Sequence, residues 1–380
     1  MINKANRLNQ VKEYYFSTKL QEIRKLISQG KPIINLGIGS PDLSPPKQVI
    51  TAISKAVADE TKHSYQSYQG LPELRQAISH FYETQFKVSL NSNDEILPLM
   101  GSKEGIMHIS MAFLNRGDTV LIPNPSYITY ASTAKMLGAN PIYYHLKEEN
   151  NWYPDFEELE KLEVSKVKLM WINYPNMPTG SLGSKDLFKK LIAFAKKHQI
   201  LLVNDNPYSF VLNNKPLSIL SIDGAKEVAM ELNSLSKTFN MAGWRVGMLL
   251  GKSKYIKAVL QVKSNMDSGM FYGIQQGAIT ALNISNGWFN SMNEIYQKRR
   301  KIVWQILDKL NCNYNKTNVG LFVWAKIPKH TTTQQLTDEL LYKKDIFITP
   351  GSIFGSNGEQ YIRISLCVKE ELLNEVLNRV

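Results

Sequence analysis

The sequence predicts an α/β protein: a mainly parallel, seven-stranded sheet with helices on both faces, plus a smaller α+β domain. Two observations predict it. Between about residues 95 and 250, seven short apolar runs alternate with helical patterns, the signature of parallel strands joined by crossover helices. The chain has 380 residues, more than one hydrophobic core readily sustains, and beyond residue 284 the alternation gives way to a long helix and short strands.

Taken in order, residues 1–30 read as an arm and a helix. Leu20, Ile23 and Ile27 repeat at helical spacing, and Gly30 follows as a stop. Ile33 to Asp42 gives a short apolar run and a Gly/Pro turn. Residues 46–60 form another helix pattern, and Pro72 opens a third after the polar aromatic loop from His63 to Gln69. The strand candidates are Glu95–Met100, Thr119–Ile122, Pro141–Leu146, Lys168–Asn173, Ile200–Asn204, Val228–Leu232 and Val246–Leu250. Between and after them lie helix candidates Lys103–Leu114, Ile128–Leu137, Ser184–Lys197 and Lys254–Lys263. The C-terminal part reads as helix Trp288–Leu310, strand-like Leu321–Ile327, helix Thr333–Lys343, and strands Ile346–Ile348 and Tyr361–Leu366. The expected division is 1–45 as an arm joining the small domain, 46–283 as the large domain and 284–380 as the small one.

Composition narrows the function. Hydrophobic content of 43% and aromatic content of 10% suit a globular enzyme, and no run of about 18 apolar residues suggests a membrane span. The first residues lack the apolar core of a secretory signal. Two widely spaced cysteines, Cys312 and Cys367, fit a reducing cytoplasm better than a disulfide framework. The net charge of +12 is spread along the chain, often near glutamates, so a solvated surface is expected and no nucleic-acid partner. The basic balance favours anionic small ligands. No metal-ligand set is expected.

The chemistry concentrates at the carboxyl ends of the strands, where such sheets bind ligands. Gly101-Ser102-Lys103 follows one strand and opens a helix, so free backbone N–H groups and the helix dipole offer an anion seat. Asp205 ends an apolar strand, a costly place for a carboxylate without a cation. Lys237 lies between two apolar runs, with Ser234 and Ser236 just before it and Arg245 after it. A lysine there can form a Schiff base with an aldehyde cofactor, while the serines and the planar fork of Arg245 hold an anionic group. Prolines flank Asn176 and Met177 in Asn173-Tyr174-Pro175-Asn176-Met177-Pro178-Thr179-Gly180, fixing the backbone rigidly.

Ser-x-x-Lys (Ser234 to Lys237) followed by Gly-x-Arg-x-Gly (Gly243 to Gly247) resembles the cofactor-lysine region of the class I/II pyridoxal-phosphate aminotransferases. The resemblance extends from about Ile34 to Leu366 and is nearest the LL-diaminopimelate and alanine-type subgroups. It implies the aspartate-aminotransferase-like fold, fold type I, with pyridoxal 5′-phosphate held by Lys237 as an internal aldimine. Ser102, Lys103, Ser234, Ser236 and Arg245 would hold the phosphate region, Tyr127 would lie against the pyridine, and Asp205 would keep its nitrogen protonated. Tyr208 and Asn176 would reach the ring oxygen. Gly39 would approach the substrate, and Asn176 and Arg363 would take its α-carboxylate. Tyr65, in a Tyr-x-x-x-x-Gly-x-x-x-Leu-Arg segment, would reach the neighbouring site of a homodimer.

The expected activity is transfer of an amino group from an L-amino acid to a 2-oxo acid, with 2-oxoglutarate as the expected acceptor. Lys237, Asp205 and Tyr208 would be catalytic. No arginine occurs between Arg245 and Arg299, which weighs against a dicarboxylate-specific enzyme, and Phe271 and Tyr272 suggest a less polar wall. Donors left open are aromatic amino acids, methionine, alanine, aspartate and LL-diaminopimelate. A C–S β-lyase of the same fold shares these markers and stands as the alternative. A DNA-binding regulator carrying this domain is disfavoured, as the short N-terminus leaves no room for a winged helix.

Overall fold

The computed structural model describes residues 2–11, 13 and 15–380. Its large sheet comprises β1 (Ile96–Leu99), β2 (Thr119–Asn124), β3 (Asn140–His145), β4 (Val167–Ile172), β5 (Leu201–Asp205), β6 (Ala229–Ser234) and β7 (Gly247–Gly251). Their spatial order is β1-β7-β6-β5-β4-β2-β3. Each lies within two residues of its predicted span. Strands β2 to β6 pair in parallel, whereas β7 runs antiparallel to both β1 and β6. The reason is local. Ser234 and Gly247 face each other across β6 and β7, joined by the short helix Leu235–Thr238 and a turn. That connection lacks a crossover helix, so the chain reverses, and Lys237 sits in the reversal.

Strands β2, β5, β6 and β7 are buried along their whole length, as strands covered on both faces must be. Alternate residues feed two apolar layers. Leu169, Trp171 and Val203 pack with Ile106 and Ile109 of helix α1 (Ser102–Phe113) and Tyr130 of helix α2 (Thr129–Met136). Met170, Ile172 and Leu202 face the other way, toward Phe188 and Leu191. The period of two decides which side chain meets which layer.

The C-terminal part holds a four-stranded antiparallel sheet, in the order Thr349–Pro350, Tyr361–Ser365, Phe322–Lys326, Asn313–Tyr314. Ile34–Asn35 pairs in parallel with Ile346–Phe347, so the N-terminal segment joins this part. Arg299, on the helix Gly287–Lys309, fastens the junction. It is buried, forks onto Asp42 at 2.7 and 2.9 Å and donates to Leu366 O at 3.0 Å. The C-terminal helix Glu370–Arg379 and the helix Tyr272–Leu282 were not among the sequence expectations. Among the described residues no helix is long and apolar enough to cross a membrane.

Candidate active site

A cavity of about 600 Å³ opens where β1, β5 and β6 end, walled on its far side by the N-terminal segment and the small sheet. Asp205, the last residue of β5, is 5% exposed and points into it. The Tyr130 hydroxyl donates to Asp205 Oδ2 at 2.7 Å, and Oδ1 is buried with no hydrogen-bond partner. Burial pushes this carboxyl up to about 7, against the pull of the Tyr130 hydroxyl. Tyr130 stacks on Trp171 at 4.8 Å, which fixes the donor. A buried carboxylate oxygen without a donor is a seat for a protonated ring nitrogen.

Lys237 is partly buried, and its Nζ donates to Gly39 O at 2.5 Å. Burial holds the amine below the usual lysine range, helped by Arg363 and Arg245 and opposed by Cys367. A lysine so placed reaches its neutral, nucleophilic form more readily. Gly39 tolerates no side chain: a Cβ would fall 2.1 Å from Phe322 Cζ.

The residues expected to form an anion seat lie together at the ends of β1 and β6. Gly101, at φ +94°, precedes α1, and a Cβ there would lie 2.3 Å from Arg245 Nη2. Ser102 Oγ donates to Asn233 O at 3.2 Å, tying the helix start to the end of β6. Ser234 Oγ accepts from Ser236 N at 3.0 Å and donates to Val246 O at 3.3 Å. Lys103, Ser236 and Arg245 also line the cavity. Helix N–H groups, hydroxyls and a guanidinium converging on a space kept clear by glycine fit a phosphate.

Tyr127 lines the cavity with its ring edge-on to Tyr130 at 5.7 Å. Tyr208 lies opposite, against Phe322, and burial pushes its phenol well up. Arg363 is buried. Its Nη2 donates to Gly37 O at 2.9 Å and its guanidinium carbon stands 3.8 Å from the Phe322 ring centre.

Two expectations are corrected. Asn176 does not line the cavity. Its Nδ2 donates to Asn173 O at 3.2 Å, and its Oδ1 accepts from Thr179 N at 3.2 Å and Thr179 Oγ1 at 2.7 Å. The amide holds the turn together, and Met177 takes the cavity wall instead. Tyr65, expected to serve a neighbouring site, is 88% exposed and lies outside this cavity, so that expectation stands as it was. Phe271 stacks on His63 at 6.4 Å and Tyr272 begins a helix, so neither forms the wall. The wall comes from Phe16, Leu20, Ile38, Phe322 and Phe354, which sequence reasoning missed. Tyr130, in the first turn of α2, was also missed.

Away from the cavity, Glu104, His108 and Asp267 bring one ligand atom each within 4.8 Å of one another. Lys263 donates to Asp267 at 2.8 Å and already supplies positive charge there.

The family model "Aminotransferase class I and II" matches residues 31–380. An LL-diaminopimelate aminotransferase of Dehalococcoides mccartyi is 40% identical over 373 residues, covering 98% of this chain and 96% of that protein. One from Aquifex aeolicus is 38% identical, covering 100% and 99%. The solved structure of apo-BacF from Bacillus subtilis superposes with a TM-score of 0.96 at 37% identity, covering 100% of this chain and 98% of that one.

Proposed function

The chain belongs to the class I and II aminotransferases, and on that premise we propose that its amino donor carries a large apolar side chain, above all an aromatic one. The enzyme is pyridoxal-phosphate-dependent and moves an amino group from an amino acid to a 2-oxo acid. The β-lyase alternative finds no support among these relatives. We further read 2-oxoglutarate as the acceptor, the cytoplasm as the location and a homodimer as the working form, with Tyr65 of each subunit reaching the other's site. The exposure of Tyr65 and the two buried, free cysteines support this reading. The chain is read as two domains, 46–283 and 284–380, with 1–45 joining the second.

The observation that carries the donor assignment is the wall around Arg363: Phe16, Leu20, Ile38, Phe322 and Phe354. Among the described lining residues Asp205 is the one carboxylate, and it faces the cofactor's ring nitrogen in this reading. None remains for the far ammonium of a diamino dicarboxylate. Burying an aromatic side chain against these rings contributes roughly 1.5–3 kcal/mol.

When bound, the cofactor supplies an electron sink that acidifies the substrate Cα–H. Ser102, Lys103, Ser234, Ser236 and Arg245 would hold its phosphate, and Lys237 would hold it covalently. Tyr127 would lie against its ring, and Tyr208 would donate to the ring oxygen. Asp205 would keep the ring nitrogen protonated. Arg363 orients the α-carboxylate. The freed Lys237 amine would take the proton from the substrate Cα and hold it for return as general base and acid.

A second reading, LL-diaminopimelate as donor, is favoured by the names of the relatives. Glutamate formation from 2-oxoglutarate, measured with phenylalanine, tyrosine, methionine, alanine, aspartate and LL-diaminopimelate, decides between them. The proposal expects kcat/KM for phenylalanine or tyrosine to lead. LL-diaminopimelate in first place would replace it.

A further inference from the structure

The loop after β4 brings Asn173 and Met177 to the cavity, and the Asn173 amide is already engaged by the protein. Asn173 Nδ2 donates to Asp205 O at 2.5 Å, and its Oδ1 accepts from Met177 N at 2.7 Å. Asn176 is committed to the turn at both ends of its amide. Beside the engaged Asn173, the loop turns Met177, 7% exposed, to the site. Arg363 Nη1 donates to its Sδ at 3.2 Å. The guanidinium carbon also faces the Phe354 ring at 4.6 Å and the Phe16 ring at 5.6 Å.

We propose that Met177 is a positioning residue that sets how tightly the site holds the α-carboxylate. A thioether is a weak acceptor. It keeps Nη1 of Arg363 oriented between turnovers and yields it readily to an incoming carboxylate. It donates nothing to that carboxylate. The grip on the group common to every amino acid is therefore modest, and discrimination rests on burying the side chain against the phenyl rings. The inference rests on the carboxylate-binding role given to Arg363.

Two variants separate the parts. Met177→Gln keeps the side-chain length and places a carboxamide where the sulfur lies. Its oxygen accepts from Nη1 while its nitrogen donates to the carboxylate. Met177→Leu keeps the apolar bulk and removes the sulfur, a swap that cores tolerate well. Propionate and 3-phenylpropionate are titrated against each holoenzyme through the cofactor absorbance, with circular dichroism as the check on folding. Met177→Gln should bind both acids about tenfold tighter, by the same factor, because the new hydrogen bond is to a charged group they share. KM for every donor should fall without a rise in kcat, as the contact exists in ground and transition states alike. Met177→Leu should bind both acids modestly more weakly. A folded, cofactor-loaded Met177→Gln enzyme that binds neither acid more tightly overturns the proposal. So does tightening confined to 3-phenylpropionate, which would place Met177 on the side chain. Arg363→Lys, measured alongside, tests the underlying reading: unchanged carboxylate affinity there would remove Arg363 from the role, whereas weakened affinity leaves a negative Met177→Gln result against Met177 alone.

Discussion

Tyr130 donates to one oxygen of Asp205 at 2.7 Å and leaves the other oxygen buried without a partner. The carboxyl is thus aimed, half satisfied and raised to about 7 by burial. Its folded-state value lies above the ordinary 3.8 of the unfolded chain. The stability this group contributes to the apoprotein is therefore fully present below about pH 4 and lost as the pH rises to about 7. Asp205→Asn apoprotein should lack this fall, outlasting the native apoprotein in urea at pH 8 by on the order of 4 kcal/mol at most. The same variant should bind cofactor more weakly, since a buried cation left without its partner costs roughly 3–5 kcal/mol. Equal urea midpoints for the two apoproteins from pH 4 to 8 would contradict the argument.

Lys237→Ala should abolish turnover and the visible absorbance of covalently held cofactor, while the fold survives by circular dichroism. Half-transamination at the native rate in this variant would remove Lys237 from its role.

Gly101→Ala should strike the anion seat. The new Cβ meets Arg245 Nη2 at 2.3 Å, and φ is +94°. The exposed guanidinium can swing aside, but then it leaves the seat. Stability should fall by about 1–3 kcal/mol for the strained backbone. Cofactor affinity, followed by fluorescence quenching, should fall about tenfold, one lost charged hydrogen bond.

Arg363→Lys should raise KM for amino donors by roughly 10–100-fold with a smaller change in kcat, because an ammonium cannot reproduce the two-pronged contact. Steady-state kinetics with phenylalanine reads both constants.

Tyr65→Ala and Lys237→Ala chains, each impaired alone, should regain activity when mixed, since a hybrid dimer holds one site with both native residues. Mixtures no more active than the parents would exclude the exchange of Tyr65 between subunits.

The strands were legible because a covered sheet needs apolar runs of fixed length, and each run registers within two residues. The direction of β7 was not, because a short apolar run reads the same either way; the reversal depends on the brief connection through Lys237. At the site, Asp205, Lys237 and Arg245 stood out because charges beside buried strands demand partners. Asn176 misled because two neighbouring residues in a Pro-bounded turn look alike in sequence, and which one faces inward follows from hydrogen bonds to Asn173 and Thr179. Phe16, Phe322 and Phe354 converge from distant stretches of chain, and no local pattern announces such a meeting.

Arg299 clasps Asp42 and the carbonyl of Leu366 at once. The turn beyond Gly39, the long helix and the strand end next to Arg363 thus share one knot. Amide protons in all three should exchange with deuterium at a common rate, as one foldon. Arg299→Met should let the N-terminal turn exchange first and alone.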